Sequence, residues 1–271
     1  MRENSSLQGV PETMLWTLHS RANEALREDG VLDDAKAIEI YRAIDYDYRR
    51  SFGPAEPTMA VRARCFDQSL RRFLAAHPNG TIVNLGEGLE TQRFRIPAPD
   101  AQWYSVDLPE SIDFRERFIE PDARHRHIAL SATDRRWFTE IPEDRPLFVS
   151  AQGLFMYLPK AEVQSLLQDI FANFDRCHLI FDTIPRAVSL ASVAGRGLPR
   201  TPHYRTPPMP WGIDRFMIRP TLRRWLGPEV KIALDNYPVF PRGPLRLLSA
   251  VVPGVPGLRQ WLPTIVEISA G

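Results

Sequence analysis

The sequence predicts an α/β fold of the Rossmann-like kind, a mostly parallel sheet with helices on both faces, and three observations carry that reading. Short apolar runs alternate with amphipathic helical stretches between residues 81 and 185. A glycine turn, Gly86-Glu87-Gly88, follows the first of these runs directly. An acid, Asp107, closes the second run 21 residues after Gly86.

Taken in order, residues 1–80 read as a helical cap. Glu24 to Asp29 and Ala35 to Ile44 hold good helix formers, and Phe66, Leu70, Phe73 and Leu74 recur at helical spacing until His77-Pro78-Asn79-Gly80 stops the run. Residues 81–185 hold strands at Thr81–Leu85, Trp103–Asp107, His127–Leu130, Leu147–Ser150 and His178–Phe181. Between the last two lies the clearest helix, with Pro159 near its first turn and Val163, Leu166, Leu167, Ile170, Phe171 and Phe174 on one face.

Residues 186–271 differ in texture. Prolines crowd Pro202 to Gly212, and proline lacks a backbone donor, so neither a regular helix nor a central strand fits there. Tyr204, Met209 and Trp211 are unusual in a free linker, so an ordered loop packed over the sheet's active edge is expected. A strand at Thr264–Ile268 closes the sheet. On this reading residues 1–271 are one domain: a cap (1–80), a core (81–185), and a lid with a closing strand (186–271).

Composition narrows the function. The chain has 271 residues with 34 Lys+Arg against 33 Asp+Glu, a formal charge of +1, which argues against a general nucleic-acid binder. The balance is uneven along the chain: −7 over residues 1–185 and +8 over residues 186–271. The two cysteines, Cys65 and Cys177, lack metal-ligand spacing and suit a reducing, cytoplasmic setting. The uncharged runs, such as Leu147–Pro159, fall short of the ~20 residues that span a bilayer, so no membrane partner is expected.

The glycine turn and the strand-end acid form a nucleoside-binding layout. Glycine lets backbone N–H groups approach a ligand, and the acid accepts from ribose hydroxyls or caps the next helix. A dinucleotide fingerprint wants a third glycine at position 91, where Thr91 stands, and short-chain dehydrogenase chemistry wants Tyr and Lys four apart, whereas Tyr157 and Lys160 differ by three. A cofactor with one adenosine and no pyrophosphate, such as S-adenosylmethionine (SAM), needs only the shorter turn.

The motifs from Arg62 to Leu74, Asn84 to Thr91, Val106 to Pro109, Ser131 to Asp134 and Ser150 to Leu158 resemble, in order, those of the leucine carboxyl methyltransferase superfamily. They are most similar to its tetracenomycin-type polyketide O-methyltransferase branch. Phe181-Asp182-Thr183-Ile184-Pro185-Arg186 and Pro207 to Gly212 extend the resemblance. It implies a class I methyltransferase fold with a seven-stranded sheet whose last strand is antiparallel. It also implies that Arg62 pairs with the methionyl carboxylate of SAM, that Gly86 and Gly88 approach its methionyl and ribose portions, and that Asp107 holds the ribose, with Glu87 and Leu108 as further cofactor contacts. Ser131, Ala132 and Thr133 would flank the adenine, and Gln152 would stand near the sulfonium. Two positions depart from the pattern: Ala132 stands where an Asp is usual, leaving the adenine amino group to Ser131, Asp134, backbone or water, and Gln152 stands where a Glu is common. Arg21 is a further residue considered for the carboxylate.

The resemblance implies in-line methyl transfer to an oxygen of a small acidic, aromatic or polyketide-like metabolite, with S-adenosylhomocysteine (SAH) as product and no metal. A carboxylate acceptor is preferred to a phenol, because the first is ionised at neutral pH and the second profits from a base. Tyr157 and His203 are the residues considered for that base, with His19 beside them. The basic C-terminal segment, with Arg196, Arg200 and Arg205, motivates the acidic acceptor. Tyr157, Tyr204, Met209 and Trp211 are the expected acceptor walls. The alternatives are an NAD(P)-dependent oxidoreductase and a non-catalytic SAM-binding or interaction module. The oligomeric state is expected to be monomer or homodimer.

Overall fold

The computed structural model describes residues 3, 4, 7, 9–238, 240–242, 244–255, 257 and 262–270. The helices are α1 (Thr13–Ala25), α2 (Ala35–Ala43), α3 (Tyr48–Phe52), α4 (Thr58–Ala76), α5 (Gln92–Arg95), α6 (Pro109–Arg115), α7 (Lys160–Asn173), α8 (Arg186–Ala194), α9 (Arg215–Leu226) and α10 (Pro244–Val251). Strands β1 (Glu3–Asn4) and β2 (Ile44–Asp45) form a small parallel pair. The central strands are β3 (Thr81–Leu85), β4 (Gln102–Asp107), β5 (His125–Ala129), β6 (Leu147–Ala151) and β7 (Cys177–Thr183). A short antiparallel pair, β8 (Pro199–Thr201) and β9 (Tyr204–Arg205), precedes β10 (Lys231–Asn236) and β11 (Thr264–Ser269).

Seven strands make the main sheet, in the order β10-β11-β7-β6-β3-β4-β5. All pairings from β7 to β5 are parallel, while β11 runs antiparallel to both β7 and β10. The chain's last strand thus inserts within the sheet rather than adding to its edge. The strand at Thr264–Ile268, expected from its apolar run, lies here. β10 was not foreseen: as an edge strand it exposes Lys231, Ala233 and Asp235, and its apolar run, Ile232-Ala233-Leu234, is only three residues long. β5 begins two residues before the expected start at His127.

Because successive side chains on a strand point to opposite faces, each central strand feeds two cores. Ile82, Trp103, Phe148, Ile180 and Ile265 pack with Phe66, Leu70 and Phe73 of α4 on one face. Val83, Val106, Val149 and Leu179 pack on the other face with Trp137, with Val163, Leu166, Leu167 and Ile170 of α7, and with Ile218 and Leu222 of α9. The cap has its own core: Met14, Leu15 and Leu18 of α1 meet Ile40, Tyr48 and Phe52, closing on Leu89 and Phe114 beyond the ends of β3 and β4.

β3 lies between β4 and β6, with Asn84 opposite Ser105 on one side and Ser150 on the other. The chain winds away from β3 in both directions, so a crevice opens beyond the carboxyl ends of these strands, where doubly wound sheets place ligands. Among the described residues, no helix is long and apolar enough to cross a membrane.

Candidate cofactor and acceptor site

The turn after β3 is built to bring backbone close to a ligand. Gly86 and Gly88 both take the left-handed conformation, with φ of 61° and 53°. A Cβ at Gly86 would lie 2.8 Å from Cδ1 of Leu154, and one at Gly88 would lie 2.9 Å from Cβ of Met14. Only glycine lets β3 turn this tightly beneath α1.

Asp107 ends β4 against that turn. Its Oδ2 accepts from the backbone N–H of Gly88 at 2.7 Å and its Oδ1 from that of Leu108 at 2.8 Å. Burial raises its pKa, opposed by these two donors. It does not cap α6, whose N-cap is Leu108, so the expected capping role is not the one it plays; it ties the glycine turn to the end of β4 instead.

Arg62 rises from α4 to the other end of the crevice. Its Nη1 lies 3.3 Å from Oδ2 of Asp182 at the end of β7, and both side chains are buried. Oδ1 of Asp182 accepts from the backbone N–H of Gly153 at 2.5 Å. Burial alone would lower the pKa of Arg62, but Asp182, Tyr237, Glu90 and Tyr157 hold the guanidinium above its ordinary value. Nε of Arg62 is buried without a hydrogen-bond partner among the described residues. Asp182 was not singled out as a site residue; the Phe181-Asp182-Thr183 run at a strand's carboxyl end was the available signal.

Gln152, after β6, donates through Nε2 to Oε2 of Glu90 at 3.3 Å. Glu90 is a second residue that sequence reasoning passed over. Burial would raise its pKa, yet Arg21 and Arg95 bring it down to about 2. Arg21 is fully buried under the turn, donating to Asp34, Glu90, the Thr91 hydroxyl and the Leu89 carbonyl, and does not reach the crevice.

These elements enclose a cavity of about 210 Å³. Of the expected cofactor residues, Arg62, Gly86, Glu87, Gly88, Asp107, Leu108, Ser131, Ala132 and Gln152 line it. Thr133 does not: its hydroxyl pairs with that of Ser131 at 2.9 Å and its own surroundings are a groove beside α7. Asp134 caps the short helix Arg135–Glu140 and binds Arg136, so it too lies outside the lining. Glu87 lines the cavity with a buried carboxyl whose pKa burial raises, against the opposing pull of Arg115.

Tyr157 lines the cavity, with its hydroxyl pKa pushed up to about 12 by burial. Tyr204, Met209 and Trp211 do not. Tyr204 packs edge-on against Phe52, Met209 is tied through its backbone to Ser189 and Ser192, and Trp211 sits among Phe155, Phe181 and Trp225. The proline-rich loop is ordered as expected, but its apolar side chains are spent on core packing. Thr13, Met14 and Thr17, one face of α1, line the crevice instead. Their spacing of one, three and four residues was the overlooked signal.

None of the histidines lines the cavity. His203 is exposed in the β8–β9 turn, and His19 is buried between Tyr41 and Tyr48, with Nε2 3.2 Å from the Gly53 carbonyl. Nor do the arginines expected at the mouth reach it. Arg200 stacks over Trp16 and bonds Glu56, Arg205 donates to the Gly195 and Gly197 carbonyls, and Arg196 is exposed. Among the described residues no group of three or more His, Cys, Asp or Glu is placed to hold a metal ion.

The family model described as leucine carboxyl methyltransferase matches residues 15–171. The chain is 36% identical over 187 residues to the tetracenomycin polyketide synthesis O-methyltransferase TcmP of Streptomyces glaucescens, covering 68% of this chain and 69% of that protein. It is 29% identical over 187 residues to the S-adenosyl-L-methionine-dependent methyltransferase dpfgK of Gibberella zeae, covering 62% of this chain and 63% of that one. Among solved structures, the plantazolicin methyltransferase BpumL in complex with SAH superposes with a TM-score of 0.52 at 14% identity, covering 97% and 99% of the two chains. The CurJ carbon methyltransferase gives 0.52 at 10% identity, covering 96% of this chain and 68% of that one. These structural likenesses concern the fold alone.

Proposed function

The chain belongs to the leucine carboxyl methyltransferase family and is a SAM-dependent O-methyltransferase, and we propose that it methylates a small-molecule acceptor, a carboxylate in preference to a phenol, in the cavity between α1 and the carboxyl ends of β3, β4, β5 and β6. The observation that carries the cofactor assignment is the convergence in one cavity of two left-handed glycines, a strand-end carboxylate and a buried guanidinium. In this reading Arg62 holds the methionyl carboxylate through the fork it keeps beside Asp182, Asp107 holds the ribose, and Ser131 and Ala132 flank the adenine. Adenine recognition falls to Ser131, backbone or water, since the Ala132 carbonyl is taken by the Trp137 indole at 3.0 Å.

SAM supplies an electrophilic methyl on a cationic sulfur, so the C–S bond breaks as the new O–C bond forms. The protein's part is to orient and to exclude water, and such positioning supplies roughly 7–11 kcal/mol of a barrier. α1 supplies the roof through Met14 and Thr17, and Leu154, Tyr157 and Leu158 the apolar wall. The acceptor preference rests on the bases at hand. No described lining residue is a histidine, Glu90 is engaged by Arg21 and Arg95, Glu87 by Arg115 and Asn84, Asp107 by the Gly88 and Leu108 N–H groups, and Tyr157 stays protonated well above neutral pH. A carboxylic acid, with a pKa near ~4, needs no base, whereas a phenol near ~10 does. The arginine-rich C-terminal segment no longer supports this preference.

On the same reading residues 1–271 act as one unit, with the cap roofing the site and residues 186–271 bracing the cap through Tyr204 and Arg200. The free cysteines suit a reducing cytoplasm. Calorimetric titration with SAM and SAH tests the cofactor, and binding of neither would overturn it. Turnover of aromatic carboxylic acids against matched phenols tests the acceptor, and turnover of phenols alone would overturn the carboxylate preference.

A further inference from the structure

Beneath the glycine turn lies a buried ion cluster whose charges do not cancel. Arg21 sits 2.9 Å from Asp34 and 3.2 Å from Glu90. Arg95 sits 2.7 Å from Asp34, 2.7 Å from Glu90 and 2.8 Å from Asp67. Two guanidiniums therefore face three carboxylates, a formal charge of −1, and none of the five side chains is more than 12% exposed. Two other buried cations at the site, Arg62 and Arg115, have carboxylates of their own in Asp182 and Glu87.

The surplus points into the cavity. Oε1 of Glu90 is filled: it accepts from Arg21, Arg95 and the backbone N–H of Thr91 at 2.8 Å. Oε2 accepts one long hydrogen bond, 3.3 Å, from Gln152, and Glu90 and Gln152 both line the cavity. Arg21 and Arg95 hold Glu90 ionised, so its Oε2 presents a fixed negative charge to the cavity, and the space beyond it suits a cation.

We infer that Glu90, held in place by Arg21 and Arg95 and steadied by Gln152, is the counter-charge for the cationic sulfur of the cofactor, so that the site separates SAM from SAH by charge. This inference rests on the cofactor reading above. It also accounts for position 152: the negative charge that a glutamate would carry there is supplied from the glycine turn, and Gln152 completes its orientation. A consequence is assisted product release, since transfer of the methyl removes the positive charge that Glu90 favours.

The test is the pair of dissociation constants for SAM and SAH, measured by calorimetry on the full chain. The native protein is expected to bind SAM the more tightly. Glu90→Gln is expected to weaken SAM on the order of tenfold, as suits the loss of one partly screened charge–charge interaction. SAH should be little affected, and the double variant E90Q/Q152E should recover the preference for SAM. Parallel losses for both ligands, or no loss for either, would overturn the inference while leaving the cofactor reading intact. A native chain that binds neither ligand would overturn both. If E90Q does not fold, Gln152→Lys decides, because it sets an ammonium against the same Oε2 without disturbing the cluster: SAM should weaken selectively, and equal weakening of the two ligands would sink the idea.

Discussion

The backbone N–H of Gly88 donates to Oδ2 of Asp107 at 2.7 Å, so the turn after one strand is locked to the acid that ends the next. The Leu108 N–H takes the other oxygen at 2.8 Å. An Asp107→Asn variant keeps one acceptor but sets its NH2 against the second N–H. Hydrogen bonds to a charged group contribute ~1.5–3 kcal/mol, so SAM affinity should fall about tenfold or more. Calorimetry checks this, and unchanged affinity would remove Asp107 from the cofactor site.

The two glycines should differ in tolerance. Gly86→Ala pays for a left-handed residue, ~1–2 kcal/mol, but the atom its Cβ meets is the end of the flexible Leu154 side chain. Gly88→Ala pays the same and also meets Cβ of Met14, which moves only if α1 moves. Chemical denaturation should therefore show G88A to be the less stable of the two, and G88A should also weaken SAM by displacing the roof. Equal stability of the two variants would contradict the packing of α1 on the turn.

Arg62 and Asp182 form a buried pair, and removing one member of such a pair leaves an unpaired charge that costs ~3–5 kcal/mol. Both Arg62→Met and Asp182→Asn should lower the melting temperature. The double variant R62M/D182N should recover part of that stability and none of the SAM affinity. Recovered binding would mean that Arg62 acts only as a strut for the loop at Gly153.

Trp211 separates a core residue from a pocket residue. Buried among Phe155, Phe181 and Trp225, its replacement by Ala should cost ~3–5 kcal/mol through the cavity left behind. The folded fraction should keep the native KM for the acceptor. A raised KM at unchanged SAM affinity would return Trp211 to the acceptor wall.

What could be read beforehand was set by periodicity and by short motifs. The buried runs at Thr81–Leu85 and Leu147–Ala151 declare themselves because both their faces are apolar, and Gly86 and Asp107 because a turn and a strand end demand particular residue types. β10 did not, since its apolar run of Ile232-Ala233-Leu234 is short and only Ile232 of it is buried. Tyr204, Met209 and Trp211 misled because an aromatic wall and a core look alike in composition, and only tertiary packing separates them. Glu90 and Asp182 stayed hidden because a carboxylate's importance here comes from partners as far away in sequence as Arg21 and Arg62. Arg196, Arg200 and Arg205 show the converse: their charge is legible, but their partners turn them away from the mouth.

The acid limb of stability offers a test of Glu90 that needs no ligand. Its pKa is lowered from 4.5 to about 2, because Arg21 and Arg95 outweigh the burial that would raise it. A carboxylate depressed in the folded state adds stability that is fully present above its unfolded pKa and is lost as pH falls through its folded one. The native chain should therefore lose stability progressively between about pH 5 and pH 2 as this group takes up its proton. Glu87 and Asp107 act in the opposite sense. Burial raises both, so their protonation on acidification relieves part of the loss, while Glu267, Asp122, Asp134 and Asp29, also lowered, add to it, and it is the comparison with E90Q that isolates Glu90. Glu90→Gln removes only the destabilising arm: its melting temperature should start lower at pH 7 and decline less steeply toward pH 3. Melting curves at closely spaced pH values measure both, and parallel acid profiles for the native chain and E90Q would show that Glu90 is not held ionised by Arg21 and Arg95.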